Sequence, residues 1–385
     1  MKIVLITTDS RVHFSDYERA EPYFGTAPEA LLQGFALLTD EVEVHVISVT
    51  RRPMAVPPQL AANIFFHQPL LPSWGMGRSL FLGSILAVRK LIAEIQPDIV
   101  HGQGTERDCA LGAVFSGFPN VITIHGNMRV HASRGENKGK PYYKLAALLE
   151  SLALGRTDGV VSISSYTDRL VSPLVKRSWL LPNATESTYF NASLAPAVPR
   201  TLLFVGGLDE RKNPVGYIEA CGALLDQAGW RFRLCGGSDP DSPYTQRIKE
   251  LAARNPWIEL VGWRSRDELF GEMERASLLV LPTLEDNCPM VVLEAMAVGL
   301  PVIASRVGGV PDLIEHGRTG MMFDPLDSES MRQVTAQMIA NPEQRTSLAT
   351  AAREEARKRF HPKVVAQAHL EIYREVLRKN SSDDW

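Results

Sequence analysis

The sequence predicts an α/β protein built from two doubly wound, Rossmann-like parallel-sheet domains. Short Val/Ile/Leu-dense runs alternate with longer amphipathic stretches over nearly the whole chain. The runs fall into two series separated by a turn-rich segment, and 385 residues is about two domains' worth of chain. Strands that are apolar throughout, rather than alternating, are those buried on both faces, as in parallel sheets covered by helices.

The first series of strands is expected at 2–7, 43–49, 98–101, 120–124 and 159–164, with helices at 27–39, 78–95 and 141–155. A boundary is expected in Pro182 to Arg200, where Asn183, Ser187, Asn191, Pro196 and Pro199 supply turn chemistry. The second series follows at 201–205, 231–235, 258–262, 277–282 and 301–305, with helices at 213–228, 243–254 and 289–298. Beyond residue 327 the pattern is helical, ending with Pro362 to Arg378. A (β/α) barrel is the alternative, but the strand spacing is irregular for it and the strands exceed eight. Two domains of this kind are expected to face each other across a cleft at the carboxyl ends of their strands, where such sheets bind ligands.

Composition excludes several function classes. Lys+Arg number 41 against Asp+Glu 44, a net charge of −3, so no basic field suits nucleic acid. Hydrophobic content of 45% with 22% charged residues is that of a folded soluble chain. Cys109, Cys221, Cys235 and Cys288 are dispersed, without the spacing of a zinc site or a disulfide framework. The apolar start at Met1 to Thr7 meets Asp9 at once, which is too short for a signal sequence. No run approaches the ~18 apolar residues of a membrane span. The expected location is cytoplasmic.

The most informative segment is 278–311, LLVLPTLEDNCPMVVLEAMAVGLPVIASRVGGVP. A strand ends at Pro282, a polar loop supplies Glu285, Asp286 and Asn287, and a helix opens near Pro289 and stops at Gly299. Glu294 sits among Val291, Val292, Leu293, Ala295 and Met296, where a carboxylate is costly to bury without a partner. Asp286 and Glu294 bracket the helix start, whose amides attract phosphate, and each can accept hydrogen bonds from vicinal hydroxyls. Phosphate flanked by hydroxyls describes a nucleotide sugar. The alternative is an acidic surface loop with one exposed helix glutamate.

In the second segment, LLFVGGLDERKNP at 202–214, a strand runs into Gly206-Gly207, where a ligand can approach the backbone. Arg211 and Lys212 precede a helix opened by Asn213-Pro214, an end where cations oppose the macrodipole unless they share an anion with the amides. Two solvated loop cations are the alternative. His125 ends a strand and is followed by Gly126-Asn127; His101-Gly102-Gln103-Gly104 is a similar strand end. Gly25-Thr26 before a helix, and Gly308-Gly309 before Pro311, are close-approach turns. Asp239-Pro240-Asp241 has the Asp-x-Asp spacing of metal-dependent transferases, but it lies in a Gly/Ser/Pro turn, so no metal role is expected. P-loop, dinucleotide-fingerprint and G-x-S-x-G patterns are missing from the sequence.

Together these motifs resemble the retaining glycosyltransferases of family 4 (glycosyl transferases group 1), which have the GT-B fold. The resemblance covers nearly the whole chain and is strongest over Leu284 to Gly309, which is similar to that family's E-x7-E region. It implies that Glu294 binds the donor's ribose and that Asp286, at the first acid position, contacts the sugar hydroxyls. That position is Asp here, with Glu285 one residue earlier, so either carboxylate can fill it. The same alignment puts Asn287, Pro289 and the amides of Cys288, Met290 and Val291 beside sugar and phosphate. Residues 206–212 are similar to the family's G-R-L-x-x-x-K element: Lys212 matches the Lys, and Gly207 stands where the Arg is expected, leaving Arg211 as the substitute. Asn183 to Glu186 is similar to an altered N-G-V-D turn, Trp263 to the end that cradles the base, and His125 to the strand-end histidine near the reacting centre.

The implied activity is metal-independent transfer from a nucleotide diphosphate sugar to a glycan, lipid-linked or small-molecule acceptor, with anomeric configuration retained and no bound cofactor. Polysaccharide biosynthesis is the implied setting. Catalysis would rest on His125, Lys212, Asp286 and Glu294. Residues 1–185 with the terminal helix 362–385 would bind the acceptor near Gly25, Thr26 and His125, and residues 186–361 the donor. A GT-B epimerase, a phosphorylase and a non-catalytic nucleotide-sugar-binding scaffold remain the alternatives. Cations beside apolar residues in 69–95 (Trp74, Arg78, Arg89, Lys90) and in 134–144 (Arg134, Lys138, Lys140, Lys144) raise peripheral contact with the inner membrane face as a further expectation. Oligomeric state is not legible.

Overall fold

A computed structural model describes residues 1–71, 79–133, 140–192 and 200–380. The chain divides into two compact units, Met1–Ala184 with Pro362–Trp385, and Thr185–His361. Among the described residues, the first unit carries β1 (Lys2–Ile6), β2 (Glu43–Ile47), β3 (Gln59–Ala61), β4 (Ile64–His67), β5 (Ile99–Gln103), β6 (Asn120–Ile124), β7 (Val160–Ser162) and β8 (Ser178–Leu180). They form one sheet in the order β3-β4-β2-β1-β5-β6-β7-β8, parallel except for the β3–β4 pair. Chain order reverses between β1 and β5, which opens a crevice at the carboxyl ends of those strands.

Side-chain alternation splits this sheet's apolar residues between two cores. Ile3, Leu5, Val44, Val46, Ile99 and Val121 pack with the helix Thr26–Ala36 and the C-terminal helix Pro362–Asn380. Val4, Ile6, Ile47 and Val100 face the other way, onto Val88 and Ile92 of the helix Leu82–Ile95 and Cys109 and Ala113 of the next helix. The two helices of the first core touch backbone to backbone: a Cβ on Gly34 would lie 2.2 Å from the Pro362 carbonyl oxygen. Only glycine permits that approach.

The second unit carries β9 (Thr201–Val205), β10 (Arg231–Cys235), β11 (Ile258–Gly262), β12 (Leu278–Leu281), β13 (Val302–Ser305) and β14 (Met321–Phe323), all parallel, in the order β11-β10-β9-β12-β13-β14. Leu202, Phe204, Phe232, Val280 and Ile303 pack with Tyr217 and Ile218 of the helix Pro214–Gln227 and Met331 of the helix Ser328–Ala340. Their neighbours Leu203, Leu279 and Val302 are equally buried, as a sheet covered on both faces requires. The helix Met290–Val298 is apolar all round apart from Glu294 and buried from Val291 onward, wedged against β13, the helix Ser187–Phe190 and the helix Pro342–Arg359.

The expected central strands and helices form with ends shifted by a few residues; the first long helix starts at Leu82, not at 78. Strands β3, β4, β8 and β14 were not expected. They have three or four residues each, too short for a periodic signal. Pro196 and Pro199 lie outside the described residues. Among the described residues no helix is long and apolar enough to cross a membrane.

Candidate functional site

In the second unit chain order reverses between β9 and β12, and the loops leaving these strands meet across the crevice. The β9 loop runs from Gly206 to Lys212 and curls because the Lys212 backbone N–H donates to Asp209 Oδ1 at 2.8 Å. Asn213 then takes a left-handed conformation (φ 57°) and Pro214 opens the helix. The β12 loop is tied onto the first loop. Leu284 N–H and Thr283 Oγ1–H both donate to the Arg211 carbonyl, at 2.7 and 3.1 Å, and the Arg211 guanidinium donates to the Glu285 carbonyl at 3.2 Å.

That stitching brings Lys212 Nζ to 2.5 Å from Asp286 Oδ2, with both side chains largely buried. The second oxygen of Asp286 accepts from the Asn287 N–H at 3.0 Å. A third loop locks the arrangement: the Gly309 N–H donates to the Asp286 carbonyl at 3.0 Å, and Gly308 (φ 56°) passes so close that a Cβ there would lie 1.9 Å from the same oxygen.

Glu294, four residues past the start of its helix, is 4% exposed, and its carboxyl has no hydrogen-bond partner among the described residues. Burial, reinforced by the Glu186 carboxylate and opposed by the Arg266 guanidinium, pushes its pKa up to about 8. Glu186 and Arg266 pair with each other at 2.9 Å. Tyr189, from the helix that Glu186 caps, stands edge-on to Phe270, and burial beside Glu294 raises its phenol. A carboxyl held in an apolar helix without a partner is destabilising by itself. A ligand presenting hydroxyls would satisfy it.

In the first unit, His125 follows β6 and its Nε2–H donates to Gln103 Oε1, at the end of β5, at 2.8 Å. Burial and the nearby His369 push its pKa down to about 4, so the imidazole is neutral at pH 7. Two carboxylates shape the loop after it. Glu106 accepts from the Gly126 N–H at 2.7 Å; Glu150 accepts from Met128 N–H, Arg129 N–H and the Thr105 hydroxyl at 2.9, 3.2 and 2.5 Å. Gly25 caps the helix Thr26–Ala36 without a side-chain hydrogen bond.

A sequence profile described as Glycosyl transferases group 1 matches residues 199–341, and one described as Glycosyltransferase Family 4 matches residues 34–184. The chain belongs to the family-4-type GT-B glycosyltransferases. This glycosyltransferase is 25% identical over 305 residues to an uncharacterized glycosyltransferase of Methanocaldococcus jannaschii, covering 77% of this chain and 81% of that one. Its fold is similar to that of sucrose-phosphate synthase from Thermosynechococcus elongatus, with a TM-score of 0.76, 20% identity, and 98% and 100% of the two chains covered. It is also similar to Anabaena HepE in complex with UDP, with a TM-score of 0.69, 16% identity, and 97% and 100% covered.

Within the glycosyltransferase, the residues expected at the donor site meet in one unit. Gly206, Gly207, Arg211, Lys212, Glu285, Asp286 and Asn287 form the stitched loops. The buried Cys288 leads to Pro289, which caps the helix begun by Met290 and Val291 and carrying Glu294. Trp263 follows the edge strand β11 and is 69% exposed. Gly25, Thr26 and His125 belong to the first unit. Asp239 folds onto its own turn by accepting from the Asp241 N–H at 3.0 Å. Among the described residues no group of three or more His, Cys, Asp or Glu is placed to hold a metal ion. Arg266, and the approach of Glu186 to Glu294, are not legible in the sequence. Their only signal was the altered N-G-V-D turn that ends at Glu186.

Proposed function

We propose that this glycosyltransferase moves a sugar from a nucleoside diphosphate sugar to an acceptor hydroxyl with retention of configuration and without a metal ion, the second unit binding the donor and the first the acceptor. The observation that carries the reading is Glu294: a buried carboxyl without a hydrogen-bond partner among the described residues, eight residues after the aspartate of a lysine–aspartate pair at a strand-order switch point. Donor hydroxyls match the first and a diphosphate the second. Glu294 accepts from the ribose hydroxyls, and Asp286 or Glu285 from those of the sugar. Lys212, Arg211 and the amides of Cys288, Met290 and Val291 take the diphosphate charge, while Gly206 and Gly207 let it approach the backbone. Trp263 lies beside the base.

As the bond from the anomeric carbon to the diphosphate oxygen breaks, negative charge grows on the diphosphate and Lys212 stabilises it. The acceptor hydroxyl, held near Gly25, Thr26 and His125, attacks from the face the diphosphate leaves and gives its proton to a departing phosphate oxygen. No residue here is assigned as a covalent nucleophile. UDP is the favoured nucleotide, because similar folds such as HepE have been determined with it.

The acceptor is a glycan, a lipid-linked glycan or a small molecule. Exposed Leu82 and Leu86 beside exposed Arg89 and Lys90 on one helix support peripheral docking on anionic lipid; Trp74, Arg78, Arg134 and Lys138 lie outside the described residues. Co-sedimentation of the full chain with phosphatidylglycerol vesicles tests that part. A sugar-nucleotide panel tests the main one. Nucleoside diphosphate released only with an acceptor present supports transfer; a new sugar nucleotide, a sugar phosphate made with inorganic phosphate, or tight binding without product would replace it by epimerase, phosphorylase or scaffold.

A further inference from the structure

Behind His125 a chain of polar side chains is buried in the first unit. Gln103, 7% exposed, presents its carboxamide oxygen to His125 Nε2 and its amide nitrogen to the His101 ring, 3.1 Å from Nε2. His101 is two residues earlier on the same strand, so both side chains share a face of the sheet. It is fully buried and gripped from two sides, by Thr123 Oγ1 of β6 at 2.8 Å and by Tyr373 Oη of the C-terminal helix at 2.6 Å. One helical turn before Tyr373, the ring of His369 lies 5.4 Å from that of His101. All these residues belong to the first unit.

An amide at position 103 has a chemical consequence. A carboxamide oxygen only accepts and a carboxamide nitrogen only donates. The oxygen on His125 therefore requires the proton on Nε2 and leaves the lone pair on Nδ1. The nitrogen faces His101 Nε2; burial and the neighbouring His369 and His125 keep that imidazole neutral, and with its one proton on Nδ1, toward Tyr373 Oη, Nε2 accepts the amide hydrogen. With His101 clamped by Thr123 and Tyr373, Gln103 is held in this sense.

We propose that Gln103 is a positioning residue for glycosyl transfer: it fixes the ring and the tautomer of His125, and Tyr373 on the last helix fixes Gln103 through His101. The proposal rests on the acceptor-side reading of His125. It gives the terminal helix a part in the reaction, because the helix supplies the outer clamp of the chain that ends at His125.

The test uses the full chain labelled with ¹⁵N-histidine, His125→Asn assigning the signal. In the wild type, His125 should carry its proton on Nε2, and in Gln103→Leu the two tautomers should mix. With UDP-glucose as donor and the acceptor that supports UDP release in the sugar-nucleotide panel, Gln103→Leu should release UDP about tenfold more slowly at an unchanged KM for the donor. In Gln103→Glu the acceptor oxygen remains, so the tautomer is restored. The added charge should move the acid limb of the pH–rate profile toward higher pH, against a background of His101 and His369, which act on the same histidine cluster, and of Glu106 and Glu150, which accept from the loop after His125. A merely structural role would not move that limb. Nδ1-protonated His125 in the wild type overturns the proposal. So does an unchanged rate in Gln103→Leu when His125→Ala is slow. If His125→Ala turns over like the wild type, the acceptor-side role of His125 falls, and the kinetic role of Gln103 with it.

Discussion

Lys212 Nζ and Asp286 Oδ2 lie 2.5 Å apart across the crevice between β9 and β12, each the other's only charge partner among the described residues. A diphosphate entering this crevice competes with Asp286 for the ammonium. Lys212→Met should therefore cut donor turnover by roughly tenfold or more, through the loss of a charge-assisted contact. Asp286→Asn should act oppositely on binding and on rate. UDP alone should bind several-fold tighter, because the lysine is released, while transfer slows. Calorimetric titration with UDP and a UDP-release assay separate the two effects.

Glu294→Gln should weaken donor use on the order of tenfold. It should also change how stability depends on pH. With its pKa raised from 4.5 to about 8, folded Glu294 keeps a proton that the unfolded chain gives up, so stability falls as pH rises from about 4.5 to 8 and levels off above. The slope from this one group approaches roughly 1.4 kcal/mol per pH unit. Glutamine abolishes it. Urea unfolding at pH 5.5, 6.5 and 7.5 should show a variant whose advantage over the wild type grows with pH; a constant difference would mean an ordinary pKa.

The hydroxyl of Tyr373 supplies the hydrogen-bond partner of His101 Nδ1 in a fully buried place. Tyr373→Phe should cost about 1–3 kcal/mol, the usual penalty of a buried polar atom left without its partner. The lowered pKa values of His101, His125 and His369 give the opposite sign to Glu294: stability is present above about 6.5 and is lost as pH falls, down to about 4 for His125 and His369. Unfolding monitored across pH 4 to 6.5 should steepen with one proton for each histidine that charges.

At Gly308, φ is 56° and a Cβ would overlap the Asp286 carbonyl. Gly308→Ala should cost roughly 1–2 kcal/mol in backbone strain alone. It should also push the Asp286 peptide away from Lys212. A raised donor KM with unchanged ¹⁵N signals from His125 would place the damage in the second unit; an unaltered KM would show that the loop yields without moving Asp286.

The sheets were legible because a parallel strand buried on both faces must be apolar throughout, and runs such as Lys2–Ile6, Asn120–Ile124 and Leu278–Leu281 meet that demand. The edges were not. Gln59–Ala61 and Ser178–Leu180 are partly exposed, so their residues carry no such constraint. At the site, Lys212, Asp286 and Glu294 stood out because charge sat where local structure disfavours it. His101 and Gln103 were noticed only as a strand end. Their partner Tyr373 is 272 residues beyond His101, and a buried hydrogen bond over that separation leaves no periodic trace. Arg266 sits in an ordinary exposed-looking helix start, and only the fold brings it to Glu186.

The C-terminal helix gives the chain a direction in time. The second unit is an insertion within the first: everything from Thr185 to His361 is synthesised before the helix that completes the first unit's core at Phe35, Ile99 and Val121. During vectorial synthesis the second unit can close on itself while the first still exposes that apolar face. The first unit must then wait for Pro362 to meet Gly34, and a nascent chain stopped short of residue 362 would carry a finished second unit and an unsealed first one.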